Sequence, residues 1–273
     1  MSRPEAPSLF GAAAVRLGYV SEDQVQQTLA AQASARSRNA QPGPIGALLM
    51  ERGLLTPGQI TSVLRHLAGG TLPLSEDGIR LAARLKVLHA SAGNVIGITG
   101  TLAEDASRTT CEIAIGLAVM EQGDVLAIDA NLRAPSLHER LGTPLSPGLL
   151  ERIALGDAAT PPVQTKVAAL NAVAAGVAGE DFLSLCMSPE AARLIESYRA
   201  SYRYVLVNLG DLRRHPEAAV LASRCDGIVV VLHAGLSQKS ELLDIQRLLF
   251  GLDVGLSGVV LARPATRQER KRA

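Results

Sequence analysis

Residues 95–138 constrain the fold of this chain more than any other stretch. Val95-Ile96-Gly97-Ile98-Thr99-Gly100 is short, apolar and ends in glycine, the pattern of a buried strand entering a loop. Residues 101–107 read as that loop. From Arg108-Thr109-Thr110 to Met120 apolar residues recur at helical spacing, with a stop near Gly123. Val125-Leu126-Ala127-Ile128 is a second buried strand, and Asp129-Ala130-Asn131-Leu132-Arg133-Ala134-Pro135-Ser136-Leu137-His138 follows it. Strand, helix and strand at this spacing make a βαβ unit, so the sheet is expected to be parallel.

A phosphate-binding loop would sit between such a strand and its helix. The pattern G-x-x-x-x-G-K-[ST] works because glycines let backbone N–H groups wrap the phosphates while a lysine neutralises them. Here Leu102-Ala103-Glu104-Asp105-Ala106-Ser107-Arg108-Thr109 holds neither glycine nor lysine. A side chain in a left-handed position costs roughly 1–2 kcal/mol. One carboxylate, Glu104 or Asp105, ~5 Å from a phosphate oxygen costs about 3 kcal/mol at an effective dielectric near 20. That is roughly two decades of affinity, of which Arg108 offsets a part. The stretch reads as a nucleotide-binding fold with a poor nucleotide site.

The chain's 273 residues allow one or two domains with ample core. A net charge of +1 points to no nucleic-acid partner, and few aromatics with no Trp argue against a stacking surface. The charge is uneven: residues 263–273 carry five basic residues and one Glu, a basic tail that reads as solvated or as a contact for anionic lipid. Cys111, Cys186 and Cys225 sit in apolar contexts without metal spacing, as buried free thiols of a reducing cytoplasm would. No signal peptide or spanning apolar run is evident.

The first seventy residues are a tandem repeat. Leu9-Phe10-Gly11, Gly18-Tyr19-Val20-Ser21, Gln24-Val25 and Leu29 recur thirty-five residues later as Pro44-Ile45-Gly46, Gly53-Leu54-Leu55-Thr56, Gln59-Ile60 and Leu64. Each copy reads as a short helix ended by Gly18 or Gly53, then a second helix. Ser21 with Gln24, and Thr56 with Gln59, form capping boxes, with Pro57 at a first helical position. Val25 with Leu29, and Ile60 with Leu64, would line the inner faces, with residues 34–44 as connector. The repeat resembles the N-terminal domain of type II secretion and type IV pilus assembly ATPases. Some of those domains bind cyclic di-GMP through two motifs that start Arg-Leu-Gly and end in Gln. Gly11, Gly18, Gly46, Gly53 and Gln32 match, whereas Leu9, Pro44 and Leu67 replace the leading arginines and the second Gln. The resemblance therefore implies a small helical docking module, with a cyclic-di-GMP-responsive adaptor as the alternative.

Residues 69–75 read as a break between domains, and residues 77–89 as an amphipathic helix. Beyond His138, the sequence predicts helices over 148–156, 189–201 and 237–251, and strands over 170–176, 204–208, 228–232 and 258–261. The whole is an α/β, doubly wound, mostly parallel sheet behind a small N-terminal helical domain. The boundaries expected are 1–70, a linker at 71–76, an α/β domain at 77–263 and the tail at 264–273.

Over residues 77–263 the chain resembles the bacterial tyrosine kinases of capsule and exopolysaccharide synthesis, within the MinD/ParA group of P-loop ATPases. The most specific part is Val125 through His138, which is similar to that family's hydrophobics-Asp-x-Asp-Leu-Arg-x-Pro motif. Gly148-Leu149, Val205 through Asn208, Asp226-Gly227 and Gly258 through Arg263 keep its register. Asp77-x-x-Arg80 falls at the family's oligomerisation helix, with Ala83 in its third position, which implies a possible homo-oligomer.

The resemblance carries chemistry residue by residue. Arg108 stands for the phosphate-binding lysine, Thr109 for the magnesium-side hydroxyl, and Asp129 for the first carboxylate of the second motif. Thr110 belongs to the same remnant loop. Asn131 and Asn208 replace the second carboxylate and the acid of the third motif, and Asp211 is the candidate substitute. Ala262 before Arg263 replaces the adenine-reading Asn-Arg pair, and no tyrosine follows Tyr204 to form the autophosphorylated cluster. Each remnant also has a plain reading: Asp129 with Arg133 as a structural pair, Thr109 and Thr110 as helix caps, His138 as a surface residue.

Losses at several independent positions favour a catalytically degenerate protein. It would dock in exopolysaccharide synthesis or export, with a membrane chain-length regulator or exporter, or a paralogous active kinase, as partner. The alternative is a divergent ATPase or protein-tyrosine kinase that still uses ATP and Mg²⁺.

Overall fold

The computed structural model describes residues 9–37, 45–67, 75–89, 94–120, 125–155, 161–167, 169–177 and 181–263. In chain order these form α1 (Leu9–Arg16), α2 (Glu22–Ser37), α3 (Ile45–Glu51), α4 (Pro57–Leu67), α5 (Glu76–Leu88), β1 (Asn94–Gly100), α6 (Ala103–Met120), β2 (Val125–Asp129), α7 (Leu137–Leu141) and α8 (Leu149–Leu155). Then come β3 (Val163–Gln164), β4 (Leu170–Val173), α9 (Phe182–Met187), α10 (Pro189–Ser201), β5 (Tyr204–Gly210), α11 (Pro216–Ala222), β6 (Gly227–His233), α12 (Lys239–Gly251) and β7 (Leu256–Ala262). The chain divides into two units. One is Met1–Ala90 with Glu112–Asp124 and Lys166–Leu170; the other is Ser91–Cys111 with Val125–Thr165 and Asn171–Ala273.

In the first unit both repeats use the devices read from sequence. Ser21 N–H donates to Gln24 Oε1 at 2.8 Å while Gln24 N–H donates to Ser21 Oγ at 3.2 Å. Thr56 and Gln59 repeat the exchange at 2.8 and 3.3 Å. Such reciprocal caps satisfy backbone donors that a helix start leaves unpaired. Gly18 and Gly53 stand at φ of +72° and +69°, a left-handed conformation that ends each preceding helix and that glycine adopts without strain. Val25 and Ile60 are buried as expected. Leu29 is only partly covered, because the inner row of α2 runs through Thr28 and Gln32 instead. The Thr28 hydroxyl meets this burial by donating to Gln24 O at 2.7 Å and accepting from Arg52. The side chain of Leu64 lies outside the described residues, as do Gly123, most of the linker and the basic tail. The expected connector starts late: α2 continues to Ser37 because Ala35 and Arg36 are good helix formers. Ser75 caps α5, accepting from Gly78 N–H at 3.0 Å and donating to Glu112 Oε2 at 2.8 Å.

The second unit is organised by a seven-stranded sheet of order β3-β4-β2-β5-β1-β6-β7. The pairs of β1 with β5 and β6, of β2 with β5 and of β6 with β7 are parallel, and the two-residue β3 runs antiparallel to β4. Every residue of β1, β2 and β5 is buried. This is what predominantly apolar runs give when helices cover a parallel sheet. One face packs Leu126, Ile128, Val205, Val207, Ile228 and Val230 against Leu149 and Ile153 of α8, Leu194 and Tyr198 of α10, and Ile245 and Leu249 of α12. The expected α/β, mostly parallel sheet is therefore present. The strand expected over 170–176 ends at Val173, and the short helices α7, α9 and α11, five to seven residues each, were not foreseen. Cys111, Cys186 and Cys225 are buried, and none of the three is in a disulfide. Burial pushes the Cys225 thiol up to about 12 and the Cys186 thiol up to about 11.

From β1 the chain passes β5 to reach β2, whereas from β5 it passes β1 to reach β6. The direction of winding thus reverses between β1 and β5. Ligands of open α/β sheets bind in the crevice beyond the strand ends at such a switch point.

Candidate functional site

The crevice is bounded by the carboxyl ends of β1, β2, β5 and β6, and its first wall is the β1–α6 connection. Only Thr101 and Leu102 lie between Gly100 and the first residue of α6. The loop expected over 101–107 is helical from Ala103. Residues 102–108 contain no glycine to favour a loop; Ala103 and Ala106 favour helix; Glu104 and Asp105 lie in the first turn, where negative charge suits the helix dipole. The turn is tight enough that a Cβ on Gly100 would meet Leu102 O at 2.9 Å and Val231 O at 3.2 Å. Thr109 and Thr110, expected as caps, fall instead in the second turn. The Thr110 hydroxyl donates to Ala106 O at 2.8 Å, and Thr109 is buried.

The charged groups here are paired with one another. Arg108 donates from Nη2 to Asp105 Oδ1 at 2.7 Å, and to the backbone oxygen of Arg263 at 3.4 Å. Asp105 Oδ2 lies 2.6 Å from His233 Nδ1 at the end of β6. Beside this pair the Thr101 and Ser237 hydroxyls share a short hydrogen bond, and Ser237 Oγ accepts from His233 N–H at 2.7 Å. Sequence reasoning missed His233 and Ser237, which are separated from their partners by 128 and 136 residues with no local signal.

Asp129 is fully buried at the end of β2. Its Oδ1 accepts from Asn131 N–H at 3.2 Å and Asn208 Nδ2 at 2.9 Å; its Oδ2 accepts from Ser136 N–H at 3.0 Å and Leu137 N–H at 2.9 Å. Burial raises its pKa, and these four bonds pull the other way. The expected Asp129–Arg133 pair does not form. Asp129 is taken up by the turn around it, and Arg133 turns to Glu217, donating from Nε to Oε1 at 2.7 Å while its guanidinium lies 5.4 Å from the centre of the Phe182 ring. Asn131 donates to Ala134 O, and its amide lies so close to Gly210 that a Cβ there would meet Asn131 Oδ1 at 2.7 Å. Asn208 accepts from Gly210 N–H at 3.3 Å.

Asp211, the candidate substitute for the acid at Asn208, is enclosed by two arginines. It accepts from Arg213 N–H, Nε and Nη2 and from Arg214 Nε, all within 3.1 Å, and Arg213 continues to Glu241 at 2.6 Å. Hydrogen bonds to Asp211, and then to Glu241, hold the Arg213 guanidinium well above its usual range against desolvation. Thr99 closes the crevice between β1 and β5. Its hydroxyl donates to Gly210 O at 2.9 Å and accepts from Leu212 N–H at 3.1 Å. His138 is half-buried on α7. The structure thus brings Arg108, the Arg263 backbone and Asp105 together, and Asp129, Asn131 and Asn208 together. Asp105, Asp129 and Asp211 all accept from the protein's own donors.

No family model matches the chain. It is similar to EpsB of Ralstonia nicotianae, named as a tyrosine-protein kinase, at 29% identity over 178 residues, which are 63% of this chain and 23% of EpsB. It is similar to the succinoglycan biosynthesis transport protein ExoP of Rhizobium meliloti at 28% identity over 165 residues, 59% of this chain and 21% of ExoP. The chain therefore spans under a quarter of the length of these relatives. Among solved structures, the BceF tyrosine kinase domain superposes with a TM-score of 0.58 at 22% identity, covering 88% of this chain and 90% of that one. A ParA-family ATPase from Chlorobium tepidum gives 0.51 at 18%, covering 66% and 77%. The fold is that of bacterial tyrosine-kinase domains and their MinD/ParA-like P-loop relatives. Among the described residues no helix is long and apolar enough to cross a membrane.

Proposed function

We propose that this chain is a catalytically degenerate, tyrosine-kinase-like protein that acts by docking in exopolysaccharide or capsule synthesis or export. The observation that carries the reading is the β1–α6 connection. Two residues and an immediate helix stand where this fold otherwise wraps a phosphate, with Glu104 and Asp105 in the first turn. Magnesium–ATP does not fit the residues present. Arg108 is engaged by Asp105, both oxygens of Asp129 are filled by backbone and amide donors, and Asn131 and Asn208 bring no charge to a cation. Phosphoryl transfer depends on positioning and on metal and cationic charge at the phosphates, so such a site has little to offer it.

In this reading the protein works in the cytoplasm, and its partner is a membrane chain-length regulator or exporter, or a paralogous active kinase. The N-terminal repeat serves as a second docking module rather than a cyclic di-GMP receptor, since Leu9 and Pro44 replace the cationic leads and Gln32 is buried. The test is turnover. The purified full-length chain, incubated with ATP and Mg²⁺, is expected to release no phosphate above the buffer rate and to label neither itself nor a tyrosine-rich peptide. Turnover abolished by Asp129→Ala in a variant that remains folded would establish the divergent-enzyme reading instead.

A further inference from the structure

Asp105 stands at the first turn of α6, where an incoming anion would be met, and it is itself an anion. Its side chain is 8% exposed. It takes hydrogen bonds from two sides, Arg108 Nη2 at 2.7 Å and His233 Nδ1 at 2.6 Å, whose own side chains are 27% and 13% exposed. Hydrogen bonds of this length to a carboxylate are the strong kind. Three features that would attract a phosphoryl group, the positive end of an 18-residue helix, a guanidinium and an imidazole, converge on this one carboxylate. The contact also ties α6 to the end of β6, with the Thr101–Ser237 hydroxyl pair running beside it.

We infer that Asp105 is a built-in anion: its carboxylate occupies the hydrogen bonds of Arg108 and His233 that a phosphoryl group would otherwise receive, and so closes the crevice from within. The inference rests on the closed-site reading above and names the residue that does the closing. Losses at Asn131 and Asn208 weaken metal binding, but they leave Arg108 and the helix terminus in place; Asp105 is what cancels these. Replacing it by asparagine turns one of its two acceptor oxygens into an NH₂, which leaves one donor without its acceptor, and removes a repulsion worth roughly a hundredfold in affinity.

The experiment compares full-length wild type, Asp105→Asn and the double variant Asp105→Asn with Arg108→Ala by thermal denaturation. Each is melted in about 10 mM inorganic pyrophosphate and in sodium chloride of equal ionic strength, so that ligand linkage is separated from screening. Asp105→Asn is expected to melt several degrees below wild type in chloride and to recover at least half of that loss in pyrophosphate. Wild type is expected to melt at the same temperature in both salts, and the double variant to show no recovery. By titration, pyrophosphate should bind Asp105→Asn at least tenfold more tightly than wild type. An Asp105→Asn protein indifferent to pyrophosphate, or a wild type that responds equally, overturns the inference. If Asp105→Asn is unfolded in chloride, pyrophosphate has to restore the folded signal, and failure to do so overturns it too. Magnesium–ATP binding by wild type would instead overturn the closed-site reading, so the two failures are distinct.

Discussion

Replacing Asp129 by alanine is expected to cost about 3–5 kcal/mol of folding stability, because its carboxylate holds a turn together. Four donors point at it from the turn after β2 and from β5: the N–H groups of Asn131, Ser136 and Leu137, and the amide of Asn208. Alanine leaves all four in a site with no solvent access, at roughly 1–3 kcal/mol for each donor that finds no water. The sum is not the full four-fold cost. Burial disfavours the ionised carboxyl, and removing it recovers part of that penalty. Asp129→Asn is no conservative control, because its NH₂ would face the Ser136 and Leu137 N–H groups. Urea unfolding should show a lower midpoint at unchanged slope for both variants. A midpoint equal to wild type would mean that these hydrogen bonds are not what holds the turn.

Gly148→Val is the second large effect, expected to cost more than about 3 kcal/mol because the clash is with backbone. A Cβ at Gly148 would lie 2.2 Å from Gly176 N and 2.5 Å from Ala174 O. No rotamer relieves such a contact, since the chain leaving β4 is itself bonded there. Leu149 and Leu150 N–H groups donate to Ala174 O and Ala175 O at 2.7 and 3.1 Å. Glu151 binds the same two segments, accepting from Gly148 N–H at 2.9 Å and Val177 N–H at 2.7 Å. Pushing the segments apart would strip these bonds and uncover Leu149, Leu150 and Ile153. For a unit of this size the melting temperature should fall by roughly 6–12 °C. A melting temperature within a degree of wild type would show that the α8 start and the β4 exit can separate at no cost.

How far the sequence speaks depends on how local the determining contact is. The capping boxes at Ser21–Gln24 and Thr56–Gln59, and the glycine stops at Gly18 and Gly53, are decided within four residues, and they were readable. So were β1, β2 and β5, whose predominantly apolar runs have no use except in a covered sheet. The start of α6 departs from the sequence expectation for a physical reason. The expectation of a loop came from position relative to β1, whereas the residues themselves, alanines with two acids in the first turn, prefer helix. Local preference prevailed because no glycine opposes it.

Pairings across the fold were not legible. Asp129 and Arg133 are four residues apart at a strand end, which made them appear partners. In the structure the backbone turn consumes Asp129, and Glu217, 84 residues further on, takes Arg133. In the sequence Asp105 is only a repulsive charge, because nothing near it announces His233. Asp211 is enclosed by Arg213 and Arg214, a pairing that its place after β5 does not announce. In each case the sequence fixes the residue type, and the topology decides what it is spent on.

The measurement that tests the central claim most directly is a calorimetric titration of the full-length wild-type protein with ATP and with ADP, each in the presence and absence of Mg²⁺. A crevice closed by a two-residue connection and an internal carboxylate predicts no saturable heat at millimolar nucleotide in any of the four titrations. Saturable binding tighter than about 100 μM, some 5.5 kcal/mol of affinity, that also required magnesium would contradict it.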